Sequence, residues 1–186
     1  MAAKHDMPMW RGYGLISCGW AAAQEGQPDE GLELVRQGCA ELDALGAVFH
    51  RTRHLAVLAE IQGSLGDPVG GLQVLKAAYD EVQRTEVRLF EADLHHVEGE
   101  LRFRAGEPNA EVERCFARGL EIARRQGAKS AELRLAMGLL RVQQREGCQD
   151  ESHELLAELV SWFREGLDTV DLGDARMLLE RQGPSR

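Results

Sequence analysis

No C-x-x-C pair occurs in this sequence, and its four cysteines, Cys18, Cys39, Cys115 and Cys148, stand far apart. A secreted disulfide scaffold is shorter and denser in cysteine. Reduced thiols acting as small apolar fillers are expected instead, with Cys148 exposed in a turn and no disulfide. Long apolar runs are missing as well. The longest, Leu15 to Ala23, is nine residues broken by Ser17 and Gly19, against the roughly 18 a membrane span requires. The N-terminus, MAAKHDMPMW, has no basic region followed by an apolar core, so no secretory signal is read and the expected location is cytoplasmic. Basic charge is scarce: 22 Lys and Arg face 31 Asp and Glu, a net −9 that speaks against a nucleic-acid binder. No alternating apolar pattern of useful length exists, which excludes a sheet.

What remains is ordinary in composition. The 186 residues, 44% apolar and 28% charged, suffice for one cored domain or one repeat array and exclude wholesale disorder.

The organising signal is a repeated turn. Gly26-Gln27-Pro28-Asp29 recurs as Gly66-Asp67-Pro68-Val69 and Gly106-Glu107-Pro108-Asn109, with a weaker copy at Gly147-Cys148-Gln149-Asp150. The glycines are 40, 40 and 41 residues apart. Glycine in the left-handed conformation ends a helix, and proline two residues on opens the next. A constant period of this size marks a stacked array. Between the turns the periodicity is helical: Leu55, Leu58, Ala59, Ile61 and Leu65 form one stripe, and Val112, Phe116, Leu120 and Ala123 another. With softer breaks at Leu45-Gly46-Ala47, Arg84-Thr85-Glu86 and Gln126-Gly127-Ala128, the sequence predicts an all-α solenoid of antiparallel helix pairs. Its nine helices are expected near 8–25, 28–45, 48–65, 68–84, 88–105, 109–126, 129–146, 150–165 and 171–182. The whole of 1–186 reads as a single helical-repeat domain, with 1–6 a disordered start and 171–182 a C-terminal capping helix. Gly19, Gly38, Gly99, Gly119 and Gly138 lie inside helices, where glycine costs about 1 kcal/mol relative to alanine. Close helix packing is the expected compensation.

A helix pair with Gly19 or Gly99 seven residues before a turn glycine, followed by small residues in the next helix, resembles the tetratricopeptide repeat, here with a longer unit. Three stretches, GLISCGWAAAQEGQPDEGLELVRQG (14–38), EADLHHVEGELRFRAGEPNAEVERCFARGLEIARRQGAKSAELR (91–134) and WFREGLDTVDLGDARMLLE (162–180), are similar to the C-terminal helical-repeat region of large bacterial regulatory proteins. Those proteins join a class III adenylate or guanylate cyclase domain, or a DNA-binding regulator domain, to a predicted ATPase module. Neither a cyclase domain nor a nucleotide-binding loop is present in these residues. The resemblance therefore implies a regulatory interaction array and carries over no catalytic residue.

Chemistry is sparse. His50 and His54 are one helical turn apart, a metal-ligand spacing, and His95 and His96 follow one unit later, but no third ligand is evident. Glu98 and Glu100 fall on different helix faces, Asp150, Glu151 and Glu154 open a helix, and no G-x-S-x-G elbow exists. Neither a catalytic residue nor a cofactor is expected, and the chain is read as non-enzymatic.

Charge partitions by helix. The first helices of the pairs with their flanking turns (7–25, 48–65, 87–105 and 128–146) carry 10 basic and 8 acidic residues, and the second (27–45, 67–86, 107–127 and 148–165) 8 and 18. In tetratricopeptide arrays the first helices line the concave face, so the resemblance makes the groove the less acidic surface. Arg134, Arg141 and Arg145 share one helix face, as do Arg88, His95 and Arg102 one unit earlier. Together with His50 and His54 they form the candidate peptide-binding groove. Its alternative is a solvated face paired to Glu91, Glu98 and Glu132. Met7, Met9, Trp10 and Tyr13 make a poor polar cap, which leaves Trp10 and Tyr13 as candidate contacts with a second copy or an upstream domain. The expected function is protein or peptide binding, with an acidic segment as partner, in bacterial signalling or transcription control. Neither nucleic acid nor membrane is an expected partner, and a homodimer is compatible. The alternative is a small-ligand or metal sensor using His50, His54, His95 and His96.

Overall fold

Gly26, Gly66, Gly106 and Gly147 all adopt positive φ, between 73° and 85°. Each ends an odd-numbered helix and reverses the chain. In the computed structural model, residues 7–180 are described except 48, 148 and 149, and the side chain of Asp150 is also outside the description. Expectations for the start at 1–6, for Cys148 and for the last residues of the final helix fall outside these residues.

The described residues form nine helices and no strand. They are α1 (Pro8–Gln24), α2 (Pro28–Ala44), α3 (Arg51–Ser64), α4 (Pro68–Thr85), α5 (Glu91–Arg104), α6 (Asn109–Gln126), α7 (Lys129–Glu146), α8 (Asp150–Trp162) and α9 (Val170–Glu180). Pro28 and Pro68 stand at the first position of their helices, while Pro108 caps α6 from outside. That one-residue offset accounts for the local lengthening of the repeat. Three expected boundaries move. α3 and α5 begin at Arg51 and Glu91, because Phe49-His50 and Leu89-Phe90 form turns. α8 stops at Trp162, with Gly166 at φ 64° and the carbonyl of Leu167 held by the Arg176 guanidinium at 2.8 Å. The break after α4 is made without glycine: Glu86 itself is left-handed at φ 58°, beside a Thr85 hydroxyl that donates to the Glu81 carbonyl at 2.8 Å.

The helices pair as antiparallel hairpins that stack into a solenoid. Odd helices touch across repeats, α1 on α3, α3 on α5, α5 on α7 and α7 on α9, whereas no even helix touches another even helix among the described residues. The odd layer is therefore the shorter arc and the concave side. α9 closes the far end by packing on α7 and α8. Among the described residues, no helix is long and apolar enough to cross a membrane.

Glycine sets the packing distances. In the first hairpin, β-carbons built at Gly19, Gly31 and Gly38 would lie 2.5–2.7 Å from carbonyl oxygens of the opposite helix. Farther along, the fully buried ring of Phe116 on α6 fills the space between Gly99 on α5 and Gly138 on α7. Its edge would stand 2.5 Å from a β-carbon at either glycine. One aromatic ring thus spans two repeats, and Ala92, Val112, Leu135, Leu140 and Leu156 continue the core around it.

Gly138→Ala is expected to cost about 1–3 kcal/mol, the usual range for overpacking. Much of that loss should return in the Gly138→Ala/Phe116→Leu double variant, whose smaller side chain frees the contact. A urea-denaturation cycle measures the coupling, and simple additivity would contradict the wedge.

Candidate functional site

The concave surface is built from residues that recur at the repeat spacing on successive odd helices. Arg134 on α7 donates through Nη2 to Asp93 of α5 at 2.7 Å, across 41 residues. Through Nη1 it donates to Asp171 of α9 at 3.1 Å, across 37 residues. Arg141 repeats the first pattern one turn-pair later, donating to Glu100 at 2.7 Å, again across 41 residues. Toward the other end, the Gln24 amide and the Trp20 indole donate to Glu60, and Arg104 reaches Ser64 at 3.4 Å across 40 residues. These are rungs between neighbouring odd helices. All lie on partly open surface, with Arg134 30% exposed against 21% for Asp93.

The eight candidate groove residues separate into four places. Arg134, Arg141 and Arg145 occupy the concave layer, but the first two are committed to α5 and α9 carboxylates. Arg145 has no carboxylate partner among the described residues; its guanidinium lies flat on the Phe103 ring, 3.5 Å from the centroid. His95 and Arg102 stand on the opposite face of α5, roughly 180° around the helix from Asp93 at 100° per residue. There the Tyr79 hydroxyl donates to Glu98 at 2.7 Å and bonds the His95 Nδ1 at 3.1 Å. Arg102 bridges Glu98 at 2.9 Å and Glu107 at 2.6 Å. Arg88 pairs with Glu91 at 2.9 Å in the turn before α5. His50 and His54 sit at the start of α3 against Tyr13, whose hydroxyl shares a 3.3 Å hydrogen bond with His50 Nδ1. Tyr13 thus points into its own fold, while Trp10 is 60% exposed. The interplay of Glu91, Glu98 and Glu132 with Arg88, Arg102 and Lys129 is local pairing at three or four residues.

The histidines do not converge. The His50 and His54 rings are 6.2 Å apart, His95 bonds Tyr79, and His96 packs on Phe116. Among the described residues no group of three or more His, Cys, Asp or Glu is set to hold a metal ion. Burial pushes His54 down to about 4, with His50 and Arg53 adding repulsion. Burial does the same to His96, to about 3, reinforced by Arg134, Arg141 and Arg53.

The Tyr79–His95–Glu98 cluster has the residue types of an acid–base relay, but its proton affinities run the wrong way for activation. Burial raises the Tyr79 phenol, and Glu98 raises it further. Burial alone would raise Glu98, yet hydrogen bonds from His95, Tyr79 and Arg102 hold it at about 2. Cys115 nearby is pushed up to about 11, by burial first and Glu98 second. A nucleophile or base would need shifts toward the working pH.

Asp93 was not singled out by the sequence pattern, and Glu100 was weighed only as a carboxylate beside Glu98. The signal was the 41-residue separation from Arg134 and Arg141, equal to the repeat length. Arg53, Arg104 and Glu60 were also passed over. Arg53 and Arg104 form no ion pair among the described residues, although both act on Glu60 from a longer distance. Glu60 is half-buried, and burial raises its proton affinity despite the opposing effects of Arg53, the Trp20 and Gln24 bonds and Arg104.

No family model matches the chain. An uncharacterized protein of Rhizobium meliloti is 31% identical over 127 residues, which is 68% of this chain but 12% of that protein. The chain therefore spans about an eighth of the length of the curated relative it matches.

Two outcomes follow. Neutral, buried His54 and His96 take up protons only on unfolding, so stability present above pH 6.5 is lost as pH falls toward 4. Glu98 extends the loss from pH 4.5 toward 2. His54→Leu, matching buried Leu94 and Leu135 at the same register, should flatten the first segment in pH-dependent denaturation. An unchanged slope would contradict the burial of a neutral imidazole. Separately, Arg134→Ala leaves Asp93 and Asp171 facing each other and should cost about 1–3 kcal/mol by chemical denaturation.

Proposed function

We propose that the chain is a non-catalytic, cytoplasmic interaction module that binds an acidic protein segment along its concave odd-helix surface, within a bacterial signalling or transcription-control system. The observation that carries this reading is the pair of guanidiniums at the C-terminal ends of α5 and α7 that form no ion pair among the described residues. Arg104 bonds the Ser64 hydroxyl and acts on Glu60 only from beyond ion-pair distance, and Arg145 sits over the Phe103 ring. A guanidinium whose face is occupied by an aromatic ring keeps its edge free for bidentate bonding to a carboxylate. Fixing its orientation in advance also reduces the entropy lost on binding.

The regulatory setting is supported by the resemblance to helical regions of cyclase- and ATPase-linked regulators. It is also supported by the match to a short part of a much longer relative. Arrays of this kind act through the surfaces they present, so function is argued from the free side chains and not from the stack itself.

The test replaces the free guanidiniums and spares the structural ones. Arg104→Glu/Arg145→Glu should lower affinity for a fluorescein-labelled glutamate-rich peptide by about tenfold or more, as expected for loss of charge-assisted bonds worth roughly 1.5–3 kcal/mol. It should leave the thermal midpoint nearly unchanged. Fluorescence anisotropy reads the first quantity and circular dichroism the second. Unchanged peptide affinity overturns the assignment.

A further inference from the structure

A cleft of about 840 Å³ opens between the first turn of α7, the end of α8 and the loop into α9. It is separate from Arg104 and Arg145, which lie at the other end of their helices. Its size falls in the range of about 300–1,000 Å³ usual for ligand sites.

The floor is apolar, with Leu133 and Leu172 buried and Phe163 half-buried beside them. Trp162 forms one wall and is 57% exposed. Two partners fix its ring: Phe163 stands edge-on at 5.2 Å, and the Lys129 ammonium lies 5.9 Å from the ring centroid. A large aromatic side chain is thus held beside an apolar floor instead of closing over it.

The charges around that floor are unequal in their commitments. Arg134 at the base is shared by Asp93 and Asp171, two carboxylates on one guanidinium, so that cluster keeps one formal negative charge. On the rim, Arg164 and Glu165 line the cleft without an ion pair among the described residues. Arg164 and Glu165 are exposed and already hydrated, so neither demands a partner, but they set the charges that a ligand in the cleft meets. An anion alone would meet the surplus negative charge, and a cation alone would leave Arg164 idle. A molecule carrying both charges and an apolar body satisfies all three features.

We propose that this cleft binds a small zwitterion with a bulky apolar body, the chemistry of a free aromatic amino acid. The side chain rests on Leu133, Phe163 and Trp162, the carboxylate meets Arg164, and the ammonium faces Asp171 and Glu165. Because Asp171 belongs to α9 and Leu133 to α7, occupancy joins the terminal helix to the stack and raises its stability.

Calorimetric titration of the full chain with L-phenylalanine, 3-phenylpropionate and 2-phenylethylamine tests the proposal. L-phenylalanine should bind at one site and raise the thermal midpoint, while each single-charge analogue binds at least tenfold more weakly. Arg164→Gln should weaken L-phenylalanine and phenylpropionate but not phenylethylamine, and Glu165→Gln should do the reverse for the two analogues. Both changes lie in an exposed loop and leave the core alone. Ser130→Trp, which fills the cleft, should abolish binding. The absence of L-phenylalanine binding at about 1 mM, the weakest affinity that still corresponds to roughly 4 kcal/mol, overturns the site. So does retention of binding by all three variants, and equal affinity for the analogues overturns the zwitterion. The Arg104→Glu/Arg145→Glu variant should bind L-phenylalanine normally, so failure of the cleft and failure of the peptide groove are separately visible.

Discussion

The guanidinium of Arg134 is the constraint on which the concave face depends. It reaches Asp93 on α5 and Asp171 on α9 at once, so three odd helices are tied at one register. Close apolar packing opposes a slide sterically but is indifferent to the direction of polar groups. Two directional, charge-assisted bonds separated along the solenoid axis are not indifferent. Arg141 with Glu100 supplies a second tie, and Phe116 between Gly99 and Gly138 supplies the matching steric one beneath it. Register is held on the surface by ion pairs and in the core by one ring.

The same commitment explains why the groove cannot be read from basic residues alone. Arg134, Arg141 and Arg145 look alike along α7, where they share a face. Across the repeat they differ entirely, because positions one period earlier hold Asp93, Glu100 and Arg104. Two guanidiniums therefore meet carboxylates, and the third meets another cation's position and turns onto Phe103. A stripe within one helix is a property of 3.6-residue periodicity; its freedom to bind is a property of the 41-residue register. The second period decides which charges remain available.

The helices themselves were legible because each boundary is chemically marked. Gly26, Gly66, Gly106 and Gly147 take left-handed φ where the turn requires it, and prolines open or flank the following helices. Legibility failed where the marker was absent or ambiguous. Glu86 turns the chain left-handed without glycine, and the starts of α3 and α5 slip by three residues because aromatic turns replace a capping side chain. The cleft near Trp162 was illegible for a different reason. It arises from an early end to α8 and a loop pinned by Arg176, and neither is a periodic feature.

The acidity of the chain acquires a direction from this geometry. The excess negative charge falls unevenly on the even helices of the convex layer: α2 and α8 each carry a net −4, while α4 is neutral and α6 is +1. On the proposed reading, an acidic segment is repelled at the two ends of the convex side and not along its middle. Repulsion from the outer layer is screened over about 8 Å at physiological ionic strength, so it acts on encounter and fades once a segment lies in the groove. On the proposed reading, a segment docked at Arg104 and Arg145 lies beside the neutral middle of the outer layer, between the acidic α2 and α8 ends. The outer charge then acts at the ends of the arc, and Arg53 on α3 is a third guanidinium without an ion pair among the described residues.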